Sequence, residues 1–384
     1  MTGISWTGLR HSDRGAGFPR VQELVVRTRT AGCAWRASQS LPMDRPGHRT
    51  GPTTRPGVGR CGPGVAAFEF ACGARRQAGS AKILAAATAH TADMNVHHDV
   101  QPPVLVLGAT GGQGGAVADA LIRARRPVRA LVRDPASAAA RRLAAAGAQL
   151  AVADFTDRDG LAAAMRGAAA AFTLTTPFAS GPAAEIQQGR AIIAAATAAG
   201  LPHLVFSSVA AATAGTGVPH FESKAVIERE LTASGLSHTV VAPTYFYDNA
   251  LGGYQELLGG TLELPLPRDR PLQQLDRSDL GAFAALILAG PAPFSGMRIE
   301  LASDAPTPGQ MSADLSDALA RPVQFREVPL SSIRSPDMTA MWRFLRGAGY
   351  QADIAALRRD YPGVGWTSFA QWTQRTLAAS TGHT

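Results

Sequence analysis

Gly108-Ala109-Thr110-Gly111-Gly112-Gln113-Gly114-Gly115 decides how this chain is read. It follows Val104 to Leu107, a continuous apolar run of the kind a strand buried on both faces requires. It runs into Ala116 to Ala124, where Val117, Ala120 and Leu121 fall on one helical face. Among 40 glycines such a string arises easily by chance; the strand before it and the helix after it give it meaning. Glycine at 108, 111 and 114 permits a tight turn and close approach of a pyrophosphate to the backbone. The helix start, with Thr110 beside it, then offers unpaired N–H groups to the phosphates. The stretch reads as the dinucleotide-binding turn of a Rossmann-type domain.

C-terminal to this stretch, apolar runs alternate with Ala-rich helical stretches. Val128 to Val132, Leu150 to Val152, Ala170 to Leu174, His203 to Ser207 and His238 to Ala242 read as further strands. Helices are predicted at Ser137 to Ala146, Arg158 to Arg166, Ala183 to Ala199 and Glu222 to Ser234. Six strands alternating with helices mean an α/β fold, a doubly wound parallel sheet. Beyond it, Tyr254 to Arg270 reads as a loop or a hairpin turning at Gly259-Gly260, Ser278 to Leu288 as a helix and Met297 to Ala302 as another strand. Ser312 to Ala320, Met338 to Leu345, Ala352 to Arg359 and Thr367 to Leu377 read as helices of a small C-terminal α-rich lobe over the strand ends. Met338, Met341, Trp342 and Leu345 share one face there, a pattern expected of core.

The formal charge of +8 is unevenly spread. Residues 1–93 carry 13 Lys and Arg against 5 Asp and Glu, whereas 94–384 carry 24 of each, so the basic balance belongs to the front segment. That segment, rich in Arg, Gly and Pro without helical or strand period, is expected to be a disordered leader or an over-extended gene start with Met94 as initiator. Val21 to Val26 alone looks strand-like in it, and Ala81 to Ala87 like a turn or two of helix. All three cysteines (33, 61 and 72) lie there, odd in number and without metal-ligand spacing, so neither a disulfide framework nor a metal site is expected. The expected division is 1–93 leader, 94–302 dinucleotide-binding domain with 254–270 contributing to the lobe, and 303–384 lobe. With no long apolar span or signal pattern, a cytoplasmic protein without membrane contact is expected.

The end of the second strand bears on which nicotinamide cofactor fits. An acidic residue there would bind a ribose 2′-hydroxyl, and arginine would pair with a 2′-phosphate. Arg133 comes first after Val132 and selects NADP; Asp134, one step on, leaves NAD open. Asp154, followed by Phe155, is either an adenine contact or a cap near Thr156 and Asp157. Thr175-Thr176-Pro177 ends the fourth strand and is expected beside the nicotinamide.

These stretches, with His220-Phe221-Glu222-Ser223-Lys224, Ala242-Pro243-Thr244-Tyr245-Phe246 through Asn249, and Asp276-Arg277-Ser278-Asp279-Leu280-Gly281, resemble the NmrA-like atypical short-chain dehydrogenase/reductases over residues 102–375. The resemblance implies an NAD(P)-binding fold, usually NADP-preferring, in a family holding both redox-sensing regulators and quinone-type reductases. It implies cofactor contacts from Gly108, Gly111, Gln113, Gly114, Arg133, Asp154 and Lys224. Lys224 stands out independently as the single lysine among the 24 basic residues of 94–384. A compact ammonium suits paired ribose hydroxyls better than a planar guanidinium.

Ordinary members of the wider group pair Tyr and Lys in Tyr-x-x-x-Lys, the lysine easing proton exchange at the tyrosine. Here His220 stands in the tyrosine's place, so His220 and Lys224 are the catalytic candidates, with His220 either a proton donor or a plain loop histidine. Ser207 and Ser208 either line the cleft or cap a strand, and Tyr245 and Tyr247 either face the nicotinamide or fill core. Two function classes follow: an NADPH-dependent reductase of small electrophiles such as quinones, and a non-catalytic NADP(H) sensor acting through a protein partner. No helix-turn-helix or basic recognition helix is seen after Met94, so direct nucleic-acid binding is not expected; oligomeric state is left open.

Overall fold

The computed structural model describes residues 101–253, 256–257 and 259–377. The expectations for residues 1–93 lie outside the described residues.

Seven parallel strands form the central sheet in the order β10-β6-β5-β4-β1-β2-β3. They are β1 (Val104–Val106), β2 (Val128–Val132), β3 (Gln149–Val152), β4 (Ala170–Leu174), β5 (Leu204–Ser207), β6 (His238–Pro243) and β10 (Arg298–Leu301). The strand expected at Met297 to Ala302 thus joins the same sheet beyond β6, in register Arg298 with Val240. Strand order reverses between β1 and β4, which opens a crevice at their C-terminal ends, where ligands of such sheets bind.

Helices α1 (Gly112–Arg123), α2 (Ala138–Ala145) and α6 (Arg277–Ala289) cover one face. Val117 and Leu121, Leu143, and Leu280, Phe283 and Ile287 pack there on Val104, Val106 and Phe172. Helices α3 (Arg158–Met165), α4 (Gly181–Ala199) and α5 (Pro219–Ala233) cover the other, where Leu161, Met165, Ile192 and Ile227 meet Leu105, Leu131 and Phe206. Strands sandwiched this way must be apolar on both faces, and β1 and β6 are buried throughout.

The lobe has a separate core. Tyr245, Tyr247, Leu262, Met311, Trp342 and Trp372 are buried together, with helices α7 (Pro308–Leu319), α8 (Pro336–Arg346) and α10 (Phe369–Leu377) around them. Met341, Trp342 and Leu345 are core as expected, and Met338 packs on them half-buried. Helix α9 (Ile354–Asp360) instead sends Leu357 to the sheet's core.

The lobe differs from its expected form in its strands. Among the described residues of 254–270, expected as a loop or a hairpin, the turn at Gly259-Gly260 leads into β8 (Thr261–Leu264), which pairs in parallel with β11 (Gln324–Glu327). A parallel partner must come from far along the chain, and the short polar β11 carries no strand signal. Two-residue strands β7 (Tyr245–Phe246) and β9 (Gln274–Leu275) pair likewise. Three helices start earlier than expected. Helix α1 takes in the glycines from Gly112, Pro219 opens α5, and a reciprocal Thr307/Gln310 cap starts α7 at Pro308. Among the described residues no helix is long and apolar enough to cross a membrane.

Candidate functional site

The glycine turn sits at the crevice. Gly108 adopts φ +64°, and the Gly111 N–H donates to its carbonyl at 2.9 Å. A Cβ on Gly114 would stand 2.4 Å from that same carbonyl oxygen, so only glycine lets α1 start against β1. Gly111 caps α1 without a side-chain hydrogen bond, whereas Asp157 and Asp276 cap α3 and α6 through their carboxylates. Thr110, Gly111 and Gly112 are exposed. The first turn of α1 therefore presents backbone to the crevice, as a dinucleotide phosphate requires.

Beside this turn lies Arg277, the first residue of α6. A Cβ on Gly112 would meet its guanidinium at 2.6 Å. Asp248 pairs with it at 3.2 Å, and its guanidinium lies 5.8 Å from the centre of the Phe246 ring. Burial pushes the Asp248 carboxyl up, against the pull of Arg277.

Gln113, in the first turn of α1, accepts from the Ser207 hydroxyl at 2.7 Å, tying the turn to the end of β5. On the other face of the sheet, Lys224 reaches from α5 to the same strand ends. Its Nζ donates to the Thr175 carbonyl at 2.7 Å and hydroxyl at 2.9 Å, and pairs with Glu185 at 3.0 Å. Glu185 is wholly buried and also accepts from the hydroxyls of Thr175 and Ser223. Burial lowers the Lys224 ammonium below its ordinary range, against the pull of Glu185 and Glu228. These protein acceptors satisfy the three donors of an ammonium.

One helical turn before Lys224, His220 is 8% exposed, and its Nδ1 lies 2.7 Å from Asp337 of α8. Phe221 meets it edge-on, and Phe178, 65% exposed after β4, lies 5.9 Å from it between ring centres. Lys224, Thr175 and Ser207 are thus gathered over the ends of β4 and β5, with His220 one helical turn from Lys224 and beside Phe178. Ser208, the next residue, instead donates to the buried Glu228.

At the C-terminal end of β2, Arg133 is exposed directly after the strand. Asp154 caps its own turn, accepting from the Thr156 N–H at 3.0 Å and hydroxyl at 2.8 Å. Those two bonds hold its carboxyl below the usual range, burial opposing and Arg133 adding a smaller pull. Phe155 packs half-buried on Leu161 and its neighbours. Tyr245 is buried in the lobe's core, 5.5 Å from Trp342 between ring centres. Tyr247 is buried beside it and donates to the Thr367 carbonyl at 2.9 Å.

Glu185, Asp337, Arg277 and Phe178 were not picked out in the sequence. Only Arg277 lay within a stretch already singled out. The residues present fit a dinucleotide: a turn a Cβ would fill, an uncapped helix start and an exposed arginine past β2.

Residues 101–354 match the model of the NmrA-like family. This chain belongs to that family. It is 30% identical over 239 residues to an NAD(P)H azoreductase of Xenophilus azovorans, covering 62% of this chain and 81% of that one. Among solved structures it resembles an NADPH-dependent quinone oxidoreductase of Escherichia coli complexed with NADPH (TM-score 0.61, 23% identity, 71% of this chain and 99% of that one). It also resembles NmrA, a negative transcriptional regulator, in complex with NADP (TM-score 0.61, 23% identity, 73% and 97%). At these identities the structural likenesses establish the shared fold.

Proposed function

We propose that this NmrA-like protein is an NADP(H)-dependent reductase of small electrophiles such as quinones. The observation that carries the reading is the gathering of His220, Lys224 and the exposed Phe178 over the same strand ends to which Gln113 ties the glycine turn. Gly108, Thr110, Gly111, Gln113 and Gly114 would hold the pyrophosphate, and Arg133 the 2′-phosphate. Asp154 and Phe155 flank the adenosine end. Thr175, Pro177 and Ser207 would border the nicotinamide, held there by Lys224. Tyr245 would support this wall from the lobe rather than touch the ring. When bound, the nicotinamide supplies two electrons as hydride.

The remaining chemistry belongs to the chain. A quinone accepts hydride readily and needs one further proton, for which a histidine is sufficient. His220 is the proton donor in this reading, and Phe178 offers a flat face on which a planar acceptor stacks. Lys224 acts by position, fixing the ends of β4 and β5 through its bonds to Thr175. The names of the azoreductase and quinone oxidoreductase relatives support a planar acceptor, and the NADPH and NADP complexes support the cofactor.

A non-catalytic NADP(H) sensor signalling to a protein partner is the second reading. It is favoured by the Lys224 donors being taken up within the protein and by the likeness to NmrA. NADPH consumption against a quinone panel, beside a binding titration, separates the two. Turnover supports the reductase; tight binding without turnover with any acceptor supports the sensor.

A further inference from the structure

The contact between His220 and Asp337 joins two parts of the chain 117 residues apart. His220 lies in the first turn of α5, over the ends of β4 and β5, and Asp337 in the first turn of α8 in the lobe. One carboxylate oxygen of Asp337 takes both the His220 backbone N–H, at 3.3 Å, and the ring Nδ1, at 2.7 Å. Two bonds from one residue to one oxygen fix the ring's orientation as well as its place. The first turn of α8 favours a charged carboxylate. Burial would raise the Asp337 carboxyl, but its bonds to His220 and the charge of that ring hold it below the usual range. Among the described residues no group hydrogen-bonds Nε2.

We propose that Asp337 is a positioning residue for His220: it holds the proton of Nδ1 and leaves Nε2 as the nitrogen that exchanges protons with substrate. The inference rests on the reductase reading. In each turnover the acceptor gains two electrons and two protons. One proton arrives with the electrons as hydride. The other leaves Nε2 of doubly protonated His220 as its N–H bond breaks and an O–H bond forms on the reduced acceptor. Neutral His220, still donating from Nδ1 to Asp337, regains a proton from water. A carboxylate that orients an imidazole and stabilises its charged form does the same work in other acid–base sites.

Other charged groups near His220 are differently engaged. Glu222, on its own helix, accepts from the Gly217 N–H at 3.1 Å. Glu185 of α4 reaches α5 through Ser223 and Lys224. Asp337 is the carboxylate bonded directly to the ring.

Asp337 also caps α5, whose Val218 N-cap offers no side-chain acceptor. The test must separate capping from proton chemistry. Asp337→Asn keeps an oxygen for the His220 N–H and removes the charge; Asp337→Ala removes both. In full-length protein labelled with 15N-histidine, the His220 resonances, assigned by their loss in His220→Gln, report which ring nitrogen carries the proton. The wild type is expected in the Nδ1–H form, and Asp337→Ala is expected to shift it toward Nε2–H. With a quinone acceptor, Asp337→Asn is expected to lower kcat roughly tenfold, leave NADPH affinity within about twofold and move the alkaline fall of the rate to lower pH. Asp337→Glu should restore part of the rate. The same tautomer in Asp337→Ala as in the wild type overturns the proposal, as does an unmoved pH profile in Asp337→Asn. If no acceptor is reduced, the reductase reading fails, and the tautomer measurement still decides whether Asp337 sets the ring.

Discussion

The guanidinium of Arg277 occupies the space that a Cβ on Gly112 would need, with Nη1 2.6 Å from that point. The start of α6 thereby places a cation against the start of α1. Gly112→Ala must displace Arg277, and Arg277→Ala removes the charge outright. Each should weaken NADPH and ADP-ribose roughly tenfold, the worth of one charge-assisted hydrogen bond, while adenosine monophosphate, without a pyrophosphate, binds as before. Fluorescence titration measures all three. Equal losses for adenosine monophosphate would place Arg277 away from the pyrophosphate.

Gly114→Ala should be more severe. The added carbon meets the Gly108 carbonyl, a backbone group that cannot swing aside, at 2.4 Å. About 1–3 kcal/mol of stability should go with dinucleotide binding. Thermal melting with and without NADPH reads both, and a variant still stabilised by NADPH would show that the turn can be rebuilt.

Arg133 should govern cofactor choice. Exposed beyond β2, it pairs with a 2′-phosphate at little cost to the fold. Arg133→Ala is expected to lower NADPH affinity on the order of tenfold to a hundredfold and to leave NADH nearly unchanged. Comparable losses for both cofactors would give Arg133 another role.

What could be read from the sequence, and what could not, divides by distance along the chain. The β1-turn-α1 unit is contiguous, and its apolar run, glycines and helical face stand in one short stretch, so fold and turn were both legible. Lys224 was legible as a compositional exception. Glu185 was not: an acid amid Ala and Gln on a helix looks solvated, and only folding brings it beneath Lys224. Asp337 was hidden by its separation of 117 positions from His220, and β11 by its polar residues and distant partner. The packing of Tyr245 on Trp342 in the lobe was likewise hidden by distance along the chain.

The Lys224–Glu185 pair should dominate local stability. Lys224→Met leaves the wholly buried Glu185 without its cation and should cost about 3–5 kcal/mol. Adding Glu185→Gln keeps an acceptor for Thr175 and Ser223 without the charge, and should recover most of the loss. Urea unfolding of both variants checks this; no recovery would mean that the lysine matters through its Thr175 bonds.

Acid should destabilise the fold through His203. Burial, aided by the neighbouring His238, lowers its pKa from 6.5 to about 4. Its ring nitrogens meet the hydroxyls of Ser237 at 2.8 Å and Thr239 at 2.9 Å. Above 6.5 neither the folded nor the unfolded chain protonates this ring. As pH falls from there toward about 4, the unfolded chain takes up a proton that the folded one refuses, and stability drops. The loss amounts to at most about 3 kcal/mol. Urea midpoints across that range should fall less steeply in His203→Gln than in wild type. Equal slopes would assign the acid loss to other groups.

The most direct test of the proposed function is NADPH oxidation followed with a panel of quinones, alongside a binding titration on the same protein. Quinone-dependent loss of NADPH, faster than with NADH and reduced at least tenfold in His220→Ala, is the expected result. NADPH binding with every quinone left unreduced would contradict it.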